Sequence, residues 1–316
     1  MKQFTSVEDI NCPVKNLVNA GLELKKNPFS SKIGKNKTLG MIFFNPSLRT
    51  RMSTQKAAYN LGMDVLSMNV SDDGWKIELE DGTVMDGGSQ EHIKDAVKVM
   101  SQYVDLLGVR TFAGLKNREE DYSEKVLNNF IQHSDVPVIS LESATLHPLQ
   151  SLADMMTIEE RAIEAPKVVV TWAPHPKALP QAVTNSFLQW ASHSDLDVTL
   201  VCPEGYEPAK QFLDGVAVVN NQEQALEGAD IVYTKNWSSY KNYGQILSTS
   251  KSWMIDSNKM RMTNNGKFMH CLPVRRNVVV EDEVIDNGSL VYQQAKNREY
   301  AAQIVLKKIL EDKMLK

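Results

Sequence analysis

The chain has 316 residues, of which 42% are hydrophobic and 23% are charged, a composition that excludes a disordered or fibrous protein. Its length is about twice that of a typical single domain, so we expect two domains. The formal net charge is -4 and there is no long basic block, which disfavours nucleic acid or an anionic membrane surface as a partner.

The amino-terminal residues 1–16 contain no continuous apolar run, so we predict no signal peptide. No stretch approaches the roughly 20 apolar residues that a membrane-spanning helix needs. The cysteines are Cys12, Cys202 and Cys271, an odd number without paired spacing, which is typical of a reducing compartment. We therefore expect a soluble, cytoplasmic protein without disulfide bonds.

Short apolar runs alternate with segments of helical periodicity in the first half of the chain, as in βαβ units with a parallel sheet. We predict strands at residues 38–44, 63–69, 105–109 and 136–140. Apolar residues spaced three and four apart predict helices at residues 48–60, 91–104 and 119–130. Residues 71–90 form the one long irregular stretch, and loops of that length are frequently functional.

The second half of the chain shows the same alternation. We predict strands at residues 167–173, 197–202, 216–219, 230–234, 254–256 and 268–271, and helices at residues 147–162, 180–192, 223–227 and 258–262. Residues 294–313 form an amphipathic helix with no local surface for its apolar face, so we expect it to return to the first domain. The predicted fold is α/β: two doubly wound parallel-sheet domains, residues 1–144 plus 295–316 and residues 145–294, with a ligand cleft between them.

Several common motifs are missing from the sequence. It contains neither G-x-G-x-x-G nor G-x-x-x-x-G-K-[ST], so dinucleotide and Walker-type nucleotide binding have no support. The six histidines show no H-x-x-x-H spacing and the cysteines lie far apart, so we expect no metal site. The G-x-S-x-G elbow of a hydrolase triad is also missing.

The first strand-to-helix joint carries Ser47-Leu48-Arg49-Thr50-Arg51. We predict Ser47 as the N-cap of the next helix, whose unused N–H groups and positive dipole end favour an anion. Two hydroxyls and a guanidinium with bidentate geometry complete a predicted phosphate site. The alternative is an ordinary N-cap with solvated arginines.

The joint after residues 136–140 carries Glu142 and then His147-Pro148-Leu149-Gln150. Proline just inside a helix start is a structural preference. His147 and Gln150, however, would project from the first turn toward the cleft, where an imidazole can donate to a developing oxyanion.

A third joint is His270-Cys271-Leu272-Pro273, followed by Val274-Arg275-Arg276. Cys271 as a nucleophile would require an activating base beside it. We instead predict that Cys271 is a small buried residue whose backbone faces the cleft.

These three motifs, in this order and at these joints, resemble the signature set of the aspartate/ornithine transcarbamylase family over nearly the whole chain. The resemblance implies an amino-terminal carbamoyl phosphate domain, a carboxyl-terminal amino-acid domain, a homotrimer with active sites between subunits, and no metal or organic cofactor. The carbamoyl phosphate ligands that it implies are Ser47, Leu48, Arg49, Thr50, Arg110 and the His147-Pro148-Leu149-Gln150 motif, with Cys271, Leu272 and Arg298 closing the site.

Residues 233–241 depart from the free-ornithine enzymes of that family. Those enzymes have Tyr-Thr-Asp-x-Trp-x-Ser-Met-Gly, whose Asp binds the α-ammonium group of ornithine, whereas this chain has Lys235 in place of the Asp. An ammonium group facing Lys235 would cost several kcal/mol at an effective dielectric constant of roughly 20. Free ornithine is therefore disfavoured.

The departures resemble the N-acetylornithine and N-succinylornithine branch of the family, whose substrates carry an uncharged, acylated α-nitrogen. In that branch a loop tryptophan completes the phosphate site of the neighbouring subunit, and Trp75 is its match; the alternative is a loop aromatic packed on its own domain. The resemblance assigns Glu142, His175, Lys235 and Arg275 to the acylornithine.

Gln90 lies at the position that discriminates the acyl groups, where acetyl-specific members tend to have Glu and succinyl-specific members Pro. Glutamate would repel a succinyl carboxylate, whereas neutral glutamine can donate a hydrogen bond to it. We expect N-succinyl-L-ornithine as the acceptor, with N-acetyl-L-ornithine as the alternative and free ornithine or putrescine less favoured. Gln90 as a solvated loop residue without a role stays an alternative, as does a solute-binding module without catalysis.

The implied reaction is attack of the neutral δ-amine on the carbonyl carbon of carbamoyl phosphate, which gives N-succinyl-L-citrulline and phosphate in arginine biosynthesis. Cationic neighbours such as Arg49 would favour the neutral amine. Thr50, Arg110, His147 and the backbone near Cys271 would stabilise the oxyanion. The departing phosphate would accept the amine proton.

Overall fold

The computed structural model describes residues 2–70 and 74–314. Within these ranges the chain is an α/β protein in two compact units. The first unit comprises Met1–Ala113, Glu119–Leu149 and Arg298–Lys316, and the second comprises Gly114–Arg118 and Gln150–Asn297. Residues 71–73, at the start of the predicted irregular stretch, lie outside the described residues.

The first half of the chain contains five helices and six strands among its described residues. In chain order they are α1 (Val14–Lys26), β1 (Thr38–Phe43), α2 (Arg49–Leu61), β2 (Asp64–Asn69), β3 (Ile77–Glu78), β4 (Glu91–His92), α3 (Ile93–Tyr103), β5 (Leu106–Arg110), α4 (Arg118–Tyr122), α5 (Lys125–His133) and β6 (Val138–Glu142). A short 3-10 helix, Val7–Asp9, precedes α1.

The sheet of the first unit is parallel, with the strand order β2-β1-β5-β6. Its central strands are apolar and buried because both faces are covered: Ile42 and Val109 cluster with Val97 of α3 and with Leu127 and Phe130 of α5. The chain passes from β1 to β2 on one side and then returns to form β5 on the other. Ligands of open parallel sheets bind beyond the carboxyl ends of the strands at such a reversal.

The second half of the chain forms α6 (Pro148–Glu159), β7 (Lys167–Trp172), α7 (Ala182–Ala191), β8 (Asp197–Val201), β9 (Ala217–Val219), α8 (Gln222–Leu226), β10 (Ile231–Lys235), α9 (Ser257–Arg261), β11 (Lys267–Met269), α10 (Asp282–Gly288) and α11 (Val291–Met314). Short 3-10 helices lie at Lys210–Phe212 and Lys251–Trp253. The five strands are parallel, in the order β11-β10-β7-β8-β9. Their order reverses between β7 and β10, and Val169, Val232 and Phe268 lie in the core beneath.

The last helix, α11, belongs to the first unit from Arg298 onward. Asn60 of α2 donates to Oε1 of Glu299 at 2.8 Å and to Oε1 of Gln303 at 2.9 Å, and Gln303 donates to the carbonyl of Pro28 at 2.5 Å. The expectations of an α/β fold with two parallel sheets and of a last helix that returns to the first domain are therefore confirmed. The assignment of one ligand to each predicted domain stays a prediction.

Three predicted elements differ from the structure. Residues 254–256 are not a strand, since Ile255 makes only an isolated bridge to Val280. The helix predicted at residues 119–130 is two helices, because Glu124 between them has a left-handed backbone with φ 51°. The helix predicted from residue 91 begins at Ile93, because Glu91 and His92 pair with β3 instead.

Other features were not anticipated at all. Helices α1 and α10 had no predicted counterpart, and residues 236–250 form a second long stretch without helix or strand. Within the parts of the chain that the structure describes, no helix is both long enough and apolar enough to cross a membrane.

Candidate active site

Arg110, at the carboxyl end of β5, holds the loop that follows β1. Its Nη1 donates to the backbone carbonyls of Asn45 and Pro46, at 3.1 Å each, and its Nη2 donates to Oε2 of Glu142 at 2.6 Å. The exposed fraction of Arg110 and of Glu142 is 7%. Because the held loop leads directly into Ser47, this guanidinium fixes the entry to the predicted phosphate site.

Glu142 connects Arg110 with His147. Oε2 of Glu142 lies 3.8 Å from Nε2 of His147, and His147 is buried. Glu142 is in register with Arg110 at the ends of β6 and β5, and His147 directly precedes α6. One carboxylate oxygen of Glu142, a residue assigned to the acylornithine by resemblance, is thus already engaged by Arg110.

The first turn of α2 presents the other predicted phosphate ligands. Arg49 is its first residue and Leu48, the N-cap, is 67% exposed. No side chain caps the helix, so the prediction of Ser47 as the N-cap is wrong: Ser47 lies one residue further out, and is half-buried. N–H groups of a first helical turn that no side chain caps can bind an anion, and a phosphate site at this turn stays a prediction.

Thr50 and Arg298 meet although they are 248 residues apart. Nη2 of Arg298 donates to Oγ1 of Thr50 at 2.7 Å, and both residues are buried. Arg51, in contrast, stacks its guanidinium 4.6 Å from the centre of the Phe43 ring and donates to Asn69. Arg298 therefore lies beside the hydroxyl that is predicted to bind phosphate, whereas Arg51 contacts Phe43 and Asn69.

Trp75 and Gln90 are adjacent because β3 pairs with β4. The Gln90 N–H donates to the carbonyl of Lys76 at 3.0 Å, and Nε1 of Trp75 donates to Oε2 of Glu91 at 2.9 Å. The Trp75 side chain is 53% exposed, and Gln90 is exposed as well. Trp75 is thus a half-exposed loop aromatic whose indole N–H is bound by Glu91 of its own unit, and its role at a neighbouring subunit stays a prediction.

In the second unit, Lys235 lies at the order reversal of the sheet. It is the last residue of β10 and pairs in register with Trp172 at the end of β7. His175 follows β7 by three residues, and its Nε2 accepts a hydrogen bond from Nε of Arg275 at 3.1 Å. Three residues assigned to the acylornithine, from three separate segments, thus lie around the carboxyl ends of two neighbouring strands.

These three residues form a cationic cluster around a neutral imidazole. Burial, with the positive charges of Arg275 and Lys235, holds the pKa of His175 below its ordinary value of 6.5. Nε2 accepts from Arg275, and Nδ1 lies 2.9 Å from the carbonyl oxygen of Lys177 and 3.1 Å from its backbone nitrogen. Among the described residues no carboxylate forms an ion pair with Lys235 or Arg275, so the cluster suits an anionic ligand group.

Two family models match the chain. The carbamoyl-P binding domain of aspartate/ornithine carbamoyltransferase matches residues 2–160, and its Asp/Orn binding domain matches residues 180–309. The chain belongs to the aspartate/ornithine carbamoyltransferase family. The resemblance of its three motifs to that family is confirmed, and the chain is a carbamoyltransferase.

Curated relatives and solved structures narrow the comparison. N-succinylornithine carbamoyltransferase of Bacteroides fragilis is 52% identical over 99% of each chain. N-acetylornithine carbamoyltransferase of Xanthomonas axonopodis pv. citri is 35% identical over 97% of this chain and 96% of its own. A mutant of N-acetyl-L-ornithine transcarbamylase, complexed with carbamyl phosphate and N-succinyl-L-norvaline, has a TM-score of 0.93 at 34% identity, covering 98% of this chain and all of that one.

The remaining predicted residues of this carbamoyltransferase lie around α6 and β11. Pro148 is the first residue of α6, and Leu149 and Gln150 are buried in its first turn. Cys271 follows β11 and is 7% exposed. Leu272 is partly buried, and its N–H donates to Nδ1 of His270 at 2.9 Å.

A buried aspartate that sequence reasoning missed organises this region. Asp154 accepts hydrogen bonds from Nε2 of Gln150 and Nε2 of Gln294 at Oδ1, and from the Tyr233 hydroxyl at Oδ2, each at 2.7 Å. Gln294 in turn accepts the backbone N–H of His270 at 3.0 Å. The sequence contained one signal for this network, the spacing of Gln150 and Asp154, which are four residues apart on one helix face. No sequence pattern indicated that Gln294 and Tyr233 belong to it.

The described residues contain no group of three or more His, Cys, Asp or Glu side chains placed to hold a metal ion. The polar groups at the candidate site are guanidinium, ammonium, imidazole, hydroxyl and carboxylate groups. Such a set can bind phosphate and carboxylate and stabilise an oxyanion by hydrogen bonds and charge.

Proposed function

We propose that this carbamoyltransferase transfers the carbamoyl group of carbamoyl phosphate to the δ-amine of N-succinyl-L-ornithine, giving N-succinyl-L-citrulline and phosphate in arginine biosynthesis. The observation that carries the choice of an acylated acceptor is the cationic cluster of Lys235, His175 and Arg275. A free α-ammonium group would meet like charge there, whereas an α-carboxylate beside an uncharged amide meets complementary charge.

Most of the carbamoyl phosphate ligands under this proposal belong to the first unit. The first-turn N–H groups of α2, with Ser47, Leu48, Arg49 and Thr50, hold the phosphate, and Trp75 adds its indole from a neighbouring subunit of a homotrimer. The exposure of Trp75 supports that role. Further ligands are Arg110, His147, Pro148, Leu149, Gln150, Cys271, Leu272 and Arg298.

The chemical step is addition of the neutral δ-amine to the carbonyl carbon, followed by loss of phosphate. Thr50, Arg110 and His147, with the backbone at Cys271, donate to the oxygen that becomes negative, and Arg49 neutralises the phosphate as the C–O bond breaks. Phosphate accepts the proton that the amine loses. The excess of positive charge keeps the attacking amine uncharged.

The acylornithine is recognised at its two carboxylates. Lys235 and Arg275 face the α-carboxylate, His175 donates or accepts according to its tautomer, and Glu142 orients the δ-amine. Gln90 donates its amide N–H to the succinyl carboxylate. Support for succinyl comes from the relative at 52% identity, and for acetyl from the relatives at 35% and the structural neighbours. The free thiols of Cys12, Cys202 and Cys271 support a cytoplasmic location.

The assay incubates the protein with carbamoyl phosphate and one amine, and measures the ureido product by mass spectrometry. We expect product with N-succinylornithine, less with N-acetylornithine, and none with ornithine or putrescine. A higher specificity constant for N-acetylornithine would transfer the assignment to the acetyl type. Binding of carbamoyl phosphate without any product would favour the solute-binding module.

Lys235→Asp tests whether the cationic cluster binds the acylornithine. The reversed charge should lower kcat/KM for the acylornithine by about 100-fold, since one charge pair at an effective dielectric constant of roughly 20 is worth a few kcal/mol. Lys241→Asp, at an exposed lysine nearby in sequence, is the matched control and should change little. Equal values for the two variants would refute the role of Lys235.

Two further variants test the other ligands. Arg49→Ala should lower turnover at saturating carbamoyl phosphate by about 100-fold or more; near wild-type turnover would exclude Arg49 from the site. Gln90→Glu should move the ratio of specificity constants toward N-acetylornithine, and an unchanged ratio would remove Gln90 as a determinant.

A further inference from the structure

Glu124 has a backbone conformation that its residue type disfavours. It lies between α4 and α5 with φ 51° and ψ 35°, in the left-handed region. A residue with a Cβ atom persists there only where surrounding contacts compensate the strain. The periodicity of residues 119–130 would have continued one helix through this position, so the break itself requires an explanation.

The compensating contacts are hydrogen bonds to the β6–α6 loop. Oε1 of Glu124 accepts from the Ser143 hydroxyl at 2.6 Å, from the Thr145 N–H at 2.7 Å and from the Thr145 hydroxyl at 2.5 Å. Oε2 accepts from the Ala144 N–H at 3.2 Å. One carboxylate therefore binds three consecutive residues.

That loop lies directly between two residues of the candidate site. It begins after Glu142, which pairs with Arg110, and ends at His147. Ser143 and Leu146 close it into a tight turn through hydrogen bonds of 2.8 Å and 3.1 Å. Any shift of residues 143–146 would move His147 relative to the Glu142 carboxylate.

We propose that Glu124 is a positioning residue that fixes the 143–146 loop and thereby the catalytic placement of His147. Glu124 touches no substrate atom and acts through the loop alone. The inference rests on the proposed function of His147 in the transfer reaction. A carboxylate is required because it accepts at both oxygens, whereas in glutamine one of the two positions becomes an N–H donor that faces the Ala144 N–H.

The first test compares Glu124→Gln with Asp9→Asn. Asp9 is a matched control in the same unit, because its carboxylate accepts from Gln3, from the Thr5 N–H and hydroxyl, and from the Ser6 N–H, in a loop without predicted site residues. We expect Glu124→Gln to lower kcat by about tenfold to 100-fold, as misplacement by about 1 Å does, with KM for carbamoyl phosphate changed less than about threefold. Asp9→Asn should leave kcat within about twofold.

Glu124→Gly is a second variant that tests the proposal if Glu124→Gln does not fold. Glycine accepts the left-handed backbone without strain, and it removes the same hydrogen bonds. The proposal expects the same loss of kcat, with an unchanged circular dichroism spectrum. A kcat within about twofold of wild type in either folded variant, or a loss equal to that of Asp9→Asn, would overturn the proposal.

A second readout does not depend on turnover. The His147 ring signals are assigned in a histidine-labelled NMR spectrum by their loss in His147→Asn. In the absence of substrates, Glu124→Gln should shift the titration midpoint of that ring, whereas Asp9→Asn should not. An unchanged His147 titration would overturn the positioning role even in an active enzyme. Failure of the wild type to form any ureido product would instead refute the proposed function and leave the ring measurement decisive for Glu124.

Discussion

Replacing Arg110 with methionine should destabilise the first unit strongly. Arg110 and Glu142 are each 7% exposed, and their side chains meet at 2.6 Å. Without the guanidinium, the buried Glu142 carboxylate loses its cationic partner on β5. Breaking a buried ion pair by removing one partner typically costs about 3–5 kcal/mol. We therefore expect the free energy of unfolding to fall by about 4 kcal/mol.

The double variant Arg110→Met/Glu142→Gln separates the stabilisation by the ion pair from the cost of leaving one of its charges buried alone. Removal of the unpaired charge should recover about 2–3 kcal/mol of the loss, because a buried pair contributes far less to stability than its broken half costs. Arg276→Met is the control, since Arg276 forms its ion pairs with Asp282 and Asp286 at the surface and should cost less than about 1 kcal/mol.

Urea denaturation of the wild type, both single variants, the double variant and the control measures these differences. A loss below about 1 kcal/mol for Arg110→Met, or a double variant no more stable than Arg110→Met, would refute the reasoning. The double variant should still be inactive, because it lacks the guanidinium that the proposed function assigns to carbamoyl phosphate. Wild-type turnover in it would exclude Arg110 from the site.

Three other predictions concern the second unit and the cysteines. Burial, aided by the charge of Arg275, lowers the pKa of His175 below 6.5. Just below pH 6.5 the unfolded chain therefore binds more protons than the folded chain, so the free energy of unfolding should rise with pH there. His175→Gln should flatten that rise, as measured by urea denaturation from pH 5 to 7. Lys259, buried and donating to a glutamine amide oxygen and two carbonyls, should cost about 2–4 kcal/mol as Lys259→Met, measured as a lower urea midpoint. Burial raises the pKa of Cys202 to about 12, so iodoacetamide at pH 8 should label exposed Cys12 but not Cys202 in the native protein, as read by peptide mass mapping.

The central strands and the joints that follow them could be predicted from sequence because their signals are local. Strands β1, β5, β7 and β10 are buried on both faces, so each appears as a short apolar run. Their carboxyl ends carry the candidate groups, as the rule for open parallel sheets requires. Lys235 is an example, since it is the last residue of β10, at the end of an apolar run.

Other features could not be predicted because distant residues determine them. The helix break at Glu124 depends on hydrogen bonds to residues 143–145, about 20 positions later. The partner of Thr50 is Arg298, at the far end of the chain. The sequence around residues 254–256 has the composition of a strand, but only Ile255 reaches a neighbour, so the missing element there is a matter of packing and not of propensity.

In the proposed function, chemically different residues recognise the acylated α-nitrogen of the acceptor and its acyl group. Lys235 and Arg275 are cations beside a neutral His175, and about 5 Å from either one a free α-ammonium group would be repelled by roughly 3 kcal/mol at an effective dielectric constant of roughly 20. Removal of that charge by any acyl group relieves the repulsion equally, so this cluster cannot distinguish acetyl from succinyl. In the proposed function, the distinction requires a neutral or positive donor at the acyl end, and the exposed amide of Gln90 would supply one without the cost of a buried charge.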